Sequence, residues 1–449
     1  MRENKKLILK YVGLFLFFFF SLVFFFNLSR GDTYVNFGFS YAIARGEVPY
    51  LDFNMVIPPL SPWFYCIFLL FSKSILIYYA VQALLLTILF SFFFKLLGKK
   101  AWVYLILIFM PFPISMNTIL FPGYNFLLLF LLVIVIYCEK EKKSDYLIGF
   151  LLGLLFLTKQ TVGGLLFLAS FYYLFKDYKK VLKRIVGFLV PTIFTFLILL
   201  IEGCFKEFVD LCFLGLLDFG NSNFNFDLFY LIVFVLGLVV LIVRIIRKPK
   251  DISNYYVLLF ASCVFPIIDY YHVSLFLGSL FLLILLDLPD IKQNIAVHCV
   301  LLASTFAVLW FVFSFFIFKD IKLVNYHNFE FSLVSKNYDN SVRKLDQYLE
   351  VLDKNIIYLL KGSENYFFKI KSNLDITYFD LPNYGNYGYN GTDKLINKLK
   401  QVKDSYIVID RSIFNGENAF QQYIKEASEY VIKCGKLVKK IGVYEIYEM

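Results

Sequence analysis

GDTYVNFGFSYAIARGEVPYLDFNMVIPPLSPW, residues 31–63, decides how this chain is read. It follows a very apolar stretch, Leu14–Phe26, and gathers acids, an arginine, glycines and a proline pair in one short segment. Connections between membrane spans are usually blander. This one reads as a site built at a membrane surface, and the rest of the chain says what kind.

Composition sets the class. Of 449 residues, 59% are hydrophobic and 20% aromatic, and only 17% are charged. A soluble domain cannot hide that much apolar surface, whereas a bilayer accepts it. Leu14–Phe26 and Leu127–Val135 are apolar on every face, so they are lipid-facing or bundle-core helices. The leading MRENKKLILK mimics a signal peptide, but no small-residue cleavage site follows, and an uncleaved first helix is expected. The seven cysteines are scattered without a CxxC pair and report neither a metal site nor a disulfide framework.

A helix needs about 20 apolar residues to cross roughly 30 Å of hydrocarbon. Eleven spans are predicted, near 7–27, 75–96, 101–118, 122–138, 145–158, 161–175, 185–201, 226–246, 254–271, 273–288 and 296–318. The run 57–72 is ambiguous: it reaches only about 24 Å as a helix, and Pro58, Pro59 and Pro62 crowd its start. Charge decides. If 57–72 stays on one side, the predicted cytoplasmic segments hold 20 Lys and Arg. The opposite side of the membrane part then holds five: Arg30, Arg45, Lys73, Lys159 and Lys206. That is the positive-inside pattern. If 57–72 crosses, every later basic cluster lands outside. The expectation is a re-entrant or juxtamembrane helix at 57–72 and an outer loop over 28–60. The transmembrane module runs over 1–318, with a cytoplasmic N-terminus in the plasma membrane.

Residues 319–449 are different material, polar and nearly charge-balanced, with 19 basic against 17 acidic residues. Ile356–Leu360, Tyr406–Ile409 and Val443–Tyr447 read as strands, and Ser341–Leu352 and Asn418–Cys434 as helices. The expected fold class is thus a polytopic α-helical membrane protein. It has about 11 transmembrane helices, outer juxtamembrane helices and a small C-terminal α/β extracytoplasmic domain. The net charge of +10 is a topology signal and no nucleic-acid footprint, because the basic residues sit in short turns rather than on one surface.

This topology turns one set of polar residues outward: Asp32, Arg45, Glu47, Tyr50 and Asp52 in the first loop; Asn117, Tyr124 and Asn125 near the 118–122 turn; Lys159 and Gln160 in GLLFLTKQTVGG; and Asp269, Tyr270, Tyr271 and His272 before the tenth span. Ionisable groups at membrane depth are costly unless they line a wet cavity or meet a partner. Two readings stand beside each other. Asp32 is placed to cap the helix that follows, or to act as a catalytic carboxylate. Arg45 snorkels or binds a ligand. Lys159 is an interface lysine, or a fixed ammonium for the phosphate of a membrane lipid. His272 is a structural histidine at a helix start or a pocket residue. Asn117 and Asn125 are turn residues or pocket amides.

No Walker loop, GxGxxG after a strand, HExxH or GxSxG is present. The cytoplasmic loops are too short for a nucleotide site, so the chemistry is expected outside, on an activated substrate drawn from the membrane.

The Gly31-Asp32 pair after the first span, the ARGEVPYLDF helix end, the PPLSPW helix and the FLTKQT turn together resemble the GT-C glycosyltransferases. The nearest groups are the protein O-mannosyltransferases and the bacterial aminoarabinose transferases. The resemblance implies a polyprenyl-phosphate-linked sugar as donor and a cell-envelope glycan, lipid or protein as acceptor, on the extracytoplasmic face of a bacterial membrane. It implies that Asp32 is the general base and that Lys159, with Arg45, holds the donor phosphate. Tyr50, Asp52, Tyr124, Asn125, Gln160, Asp269 and His272 are pocket candidates. Two departures count. Thr33 follows Asp32 where many relatives carry a second acid, and Ile57 precedes the proline pair where aminoarabinose transferases carry a lysine, which argues against that reaction. A second acid after the third span is missing, with Asn117 and Asn125 nearby, so no cofactor and no divalent metal is expected. A polysaccharide flippase, polymerase or other envelope glycan transporter is the alternative. It would need charges along a traversing path, whereas these residues collect at one face. A catalytically inactive relative with a glycan-binding outer domain is the third reading.

Overall fold

The computed structural model describes residues 2–23, 32–110, 116–175, 177–222, 224–317, 321–326, 329–360, 362–373, 388–410 and 425–449. In chain order the helices are α1 (Arg2–Ser21), α2 (Asp32–Ala44), α3 (Leu60–Leu69), α4 (Ile75–Leu97), α5 (Ala101–Phe109), α6 (Tyr124–Lys140), α7 (Asp145–Thr158), α8 (Gln160–Leu168), α9 (Tyr178–Ile201), α10 (Phe205–Val209), α11 (Gly215–Ser222), α12 (Leu228–Arg247), α13 (Ile252–Phe260), α14 (Tyr270–Asp287), α15 (Gln293–Ile317), α16 (Lys336–Leu349), α17 (Gly391–Gln401) and α18 (Lys425–Cys434). The chain forms two compact units. The first comprises Met1–Asn27, Tyr78–Leu197 and Asn225–Ile317; the second comprises Leu28–Ile77, Ile198–Phe224 and Phe318–Met449. The break at Phe318 falls where the composition changes, but the tail shares its unit with the first loop and with residues 198–224.

The first unit is a helical bundle of a multi-pass membrane protein. Among the described residues, five helical stretches are long and apolar enough to cross a bilayer: Ile75–Phe109, Tyr178–Ile201, Leu228–Arg247, Tyr270–Asp287 and Gln293–Val312. The predicted spans at 145–158 and 254–271 appear as shorter apolar helices, Asp145–Thr158 and Ile252–Val264. Burial separates helices that composition does not. α6 is buried on nearly every face from Asn125 to Val135, so the all-apolar run Leu127–Val135 is bundle core. α12 and α15 keep most of their apolar side chains outward, as helices bathed in lipid do. α7 and α9 meet through glycines. A Cβ on Gly149 would lie 2.2 Å from the Arg184 carbonyl oxygen, and one on Gly187 would lie 2.2 Å from that of Tyr146. Only small residues let two helix backbones approach so closely.

One end of this bundle is knitted by charge. Arg184, with 1% of its side chain exposed, donates to Glu139 at 2.7 and 3.1 Å and to Asp145 at 2.9 Å. Its guanidinium sits 4.7 Å from the Tyr173 ring centroid. Arg244 forks onto Asp287 at 2.8 and 3.0 Å and reaches Asp251 at 3.2 Å. Lys140 pairs with Asp251 at 2.9 Å, and Lys248 with Asp287 at 2.7 Å. The cations come from the Lys- and Arg-rich segments 139–143, 176–184 and 244–250, predicted cytoplasmic from the sequence. The carboxylates Glu139, Asp145, Asp251 and Asp287 turn that topology signal into a folded network.

In the second unit, α3 explains residues 57–72. Ten residues span about 15 Å, half the hydrocarbon thickness, because Pro58 and Pro59 delay the helix start. Its inner face buries Ser61, Pro62, Tyr65, Cys66 and Leu69. Beyond it Ile67, Leu70 and Phe71 are exposed. A short helix with an apolar outward face suits the membrane surface.

Strands β1 (Asn225–Phe226) and β2 (Ile267–Ile268) form a short parallel pair in the first unit. In the tail, β3 (Ile321–Tyr326) and β4 (Phe329–Ser335) make an antiparallel hairpin. β5 (Asn355–Leu359), β6 (Ser405–Asp410), β7 (Lys436–Ile441) and β8 (Tyr444–Glu448) form one sheet in the order β5-β6-β8-β7, with β5 and β6 parallel and the other pairs antiparallel. Ile357, Leu359, Ile407 and Ile409 pack there against Leu395 and Leu399 of α17 and Val431 of α18. β3, β4, β7 and α17 were not expected from the sequence; α18 matches the predicted helix 418–434 over 425–434, and 418–424 lie outside the described residues.

Candidate functional site

The Lys159 turn is the best-defined feature of the first unit. Apolar runs dictate α7 and α8, and Lys159 interrupts them with an extended backbone (φ −151°, ψ 106°). Its N–H closes α7 on the Leu155 carbonyl at 3.0 Å, while its own carbonyl accepts from Gly163 at 2.9 Å. One residue therefore ends one helix and starts the next. Gly163 makes the hairpin possible, since a Cβ there would lie 2.2 Å from the Phe156 nitrogen. The half-buried ammonium sits 5.6 Å from the centroid of the Tyr124 ring, a cation–π contact. Beside Tyr124, Asn125 is 2% exposed, and neither its amide nitrogen nor its oxygen has a hydrogen-bond partner among the described residues. A buried amide in that state is expensive, and a polar group from outside the chain is the usual reason for keeping one. Gln160 is buried at the first turn of α8.

The start of α14 belongs to the same neighbourhood. Asp269 caps the helix, its Oδ1 accepting from the His272 backbone N–H at 2.9 Å and meeting His272 Nδ1 at 2.8 Å. The carboxylate fixes the ring and leaves Nε2 as the atom not engaged with Asp269. Cys263 links the two features: its Sγ lies 3.9 Å from the His272 carbonyl and within electrostatic reach of Lys159. The hydroxyls of Thr118 and Ser274 meet, Ser274 also donates to the Tyr271 carbonyl at 3.0 Å, and Phe121 packs on Tyr271. Gln82 of α4, fully buried, donates to the Leu120 carbonyl at 3.2 Å. Sequence reading missed Gln82, Thr118 and Ser274. Their only signal is a polar residue inside an apolar run.

In the second unit, Asp32 is the first residue of α2, and its side chain lies outside the described residues, as does that of Asn117. α2 ends in a turn with Gly46 at φ +90°, where the Arg45 and Gly46 N–H groups return to the helix. Arg45 lies 3.7 Å from Glu47 and faces the rings of Tyr41 and Tyr366 at 5.8 and 5.3 Å. The Tyr366 hydroxyl donates to Glu47 at 2.7 Å. Burial pushes the Glu47 carboxyl up, outweighing the opposing pull of Tyr366 and Arg45. The same burial, with the Glu47 charge beside it, holds the Tyr366 phenol well above its ordinary range. The guanidinium expected on a donor phosphate is thus engaged with a carboxylate and two aromatic faces.

Two pocket candidates serve the loop itself. Asp52 is exposed and accepts from the Val48 N–H at 2.6 Å. Tyr50 is buried, donates to the Ile57 carbonyl at 2.9 Å and packs on Phe208. Among the site candidates, the structure joins Lys159 to Tyr124 and Asp269 to His272 in one unit, and ties Arg45 to Glu47 in the other.

The first unit is thus a bundle of apolar helices with polar groups gathered near both ends of α6. Residues 56–266 match the model of Glycosyltransferase family 87. The whole chain has the fold of ArnT from Cupriavidus metallidurans, whose crystal structure was determined bound to undecaprenyl phosphate. The match covers 98% of each chain, with a TM-score of 0.58 and 12% sequence identity. No curated protein matches the sequence. Over residues 56–266 the chain is thus similar to a glycosyltransferase family, and its fold is that of ArnT, in line with the resemblance carried by the first loop and the FLTKQT turn.

Proposed function

We propose that the enzyme transfers a sugar from a polyprenyl-phosphate carrier to a hydroxyl of an envelope acceptor on the extracytoplasmic face, with eleven crossings and an outer C-terminal tail. The observation that carries the donor class is Lys159, a half-buried ammonium fixed at a helix break beside an aromatic ring and a buried amide with no hydrogen-bond partner among the described residues. The undecaprenyl phosphate bound to ArnT supports the same class of carrier.

The chemistry follows from charge. The acceptor oxygen attacks the anomeric carbon from the face opposite the phosphate. The new carbon–oxygen bond forms as the bond to phosphate breaks, and polyprenyl phosphate leaves with the electron pair. Asp32 takes the proton of the acceptor hydroxyl. Lys159 neutralises the charge that grows on the departing phosphate, so its contribution is largest in the transition state. His272, held by Asp269, turns Nε2 towards the polar groups of the donor, and Asn125 supplies an amide for sugar hydroxyls. The reaction uses no divalent metal.

The test is donor consumption by the purified protein with polyprenyl-phosphate sugars and envelope acceptors. Asp32→Asn is expected to abolish transfer in a protein that still inserts and folds. Lys159→Gln is expected to lower donor use by about 10²-fold or more, as loss of a transition-state charge partner does. Full turnover in Asp32→Asn would remove the base from the scheme.

A further inference from the structure

At the charged end of the helical bundle a cleft of about 580 Å³ opens between the ends of α6, α12 and α14 and the start of α13. Lys140, Lys248, Lys250, Tyr173 and Ser253 line it together with the carboxylates Glu139, Asp251 and Asp287. It lies at the opposite end of α6 from Tyr124, so it is separate from the Lys159 turn. We propose that this cleft is a binding site for the phosphate headgroup of an anionic membrane lipid.

The donor and acceptor inventory favours an anion. Asp287 already accepts from both Arg244 and Lys248. Asp251 accepts from Lys140, Arg244 and the Ser253 N–H. Glu139 accepts from Arg184 twice and from Tyr256. Each of these acids already accepts at least three hydrogen bonds from the protein, whereas each lysine ammonium carries three donors. Lys140 and Lys248 each spend one on a carboxylate, and Lys250 has no ion-pair partner among the described residues. Ser253 is 0% exposed and lines the cleft beside Asp251. Surplus N–H donors around a roomy opening fit phosphate oxygens.

A lipid, rather than a soluble phosphate, follows from what adjoins the cleft. α12 carries an outward apolar stripe through Leu236, Val239, Val240, Val243 and Ile246, and the chain continues from its end into Lys248 and Lys250. Acyl chains lying along that stripe bring a headgroup to those lysines. Basic pockets between transmembrane helices take anionic headgroups in this way, each lysine contributing roughly fivefold in affinity.

Full-length protein in neutral detergent, titrated with phosphatidylglycerol or phosphatidylcholine and read by native mass spectrometry, tests the proposal. Phosphatidylglycerol is expected to be retained in preference to phosphatidylcholine. Lys250→Gln is expected to weaken its retention about fivefold with the thermal midpoint unchanged, because Lys250 makes no ion pair among the described residues. Equal retention of the two lipids, or an unchanged Lys250→Gln, would overturn the site. Displacement of phosphatidylglycerol by millimolar inorganic phosphate would overturn the lipid assignment in favour of a soluble anion.

Discussion

Gly163→Ala tests whether the α7–α8 hairpin sets the position of Lys159. The added Cβ would lie 2.2 Å from the Phe156 nitrogen, 2.3 Å from its Cα and 2.4 Å from the Leu155 carbonyl carbon. All three are backbone atoms, so no side chain can swing aside. To reach the 3.4 Å of an ordinary contact, α8 must retreat from α7 by about 1.2 Å. Such overpacking typically costs about 1–3 kcal/mol or more. Because the Lys159 carbonyl accepts from Gly163, the retreat moves the lysine too. Misplacing a reacting group by about 1 Å costs on the order of 10²-fold in rate. Gly164→Ala is the internal control: its Cβ meets only the Phe156 ring, at 3.8 Å. In a helix that change is favourable by roughly 1 kcal/mol. The assay is sugar transfer at saturating acceptor together with thermal unfolding in detergent. The expected result is a less stable, slow Gly163→Ala beside a stable, active Gly164→Ala. Equal activity in both variants would refute the claim that close packing of the hairpin positions Lys159.

Other outcomes follow from the second unit and from the charged end. The Glu47 carboxyl is raised by burial, so between glutamate's ordinary 4.5 and the raised folded value the folded state binds more protons than the unfolded one. Stability from this group is present below 4.5 and is lost as pH rises through the folded value. Thermal unfolding across that window is expected to flatten in Glu47→Gln, which keeps an acceptor for Tyr366; an unaltered slope would assign the pH dependence elsewhere. Arg184→Met leaves Glu139 and Asp145 buried without their cation, a loss of about 3–5 kcal/mol, and unfolding at the wild-type temperature would contradict the network. Because Asn117 and Asn125 stand near where relatives carry a second acid, EDTA is expected to leave turnover unchanged, and loss restored by a divalent ion would overturn that proposal.

How far the sequence is legible depends on whether its signal is local. The Lys159 turn is visible because a cation in an unbroken apolar run has few cheap explanations. α3 is visible because prolines mark its start and its length cannot cross a bilayer. The core position of α6 is not visible, since a Phe and Leu surface looks the same to lipid as to other helices. Glu47 and Tyr366 stand 319 positions apart, and no periodicity links them. β7, KLVKKI, hides its alternation behind lysines, as suits a strand at the sheet edge where charge blocks pairing with another chain. α17 betrays itself only through Leu395 and Leu399, one turn apart in a polar stretch.

The bundle uses its cations in two distinct ways, and the choice of residue follows the task. Arg184 and Arg244 each meet two carboxylates with forked, fixed geometry, which suits a planar guanidinium in a site that never has to change. Lys159 is a point charge on a flexible stem beside a ring, at the one place where the hairpin backbone itself is fixed by Gly163. A phosphate that arrives, gains charge and departs needs a cation able to follow it across several oxygens, and an ammonium does this without breaking a bidentate pair. A fork would bind the ground-state donor well and gain little as the bond breaks, whereas catalysis rewards only what strengthens on the way to the transition state. In the proposed reaction the arginines therefore belong to the fold and the lysine to the chemistry.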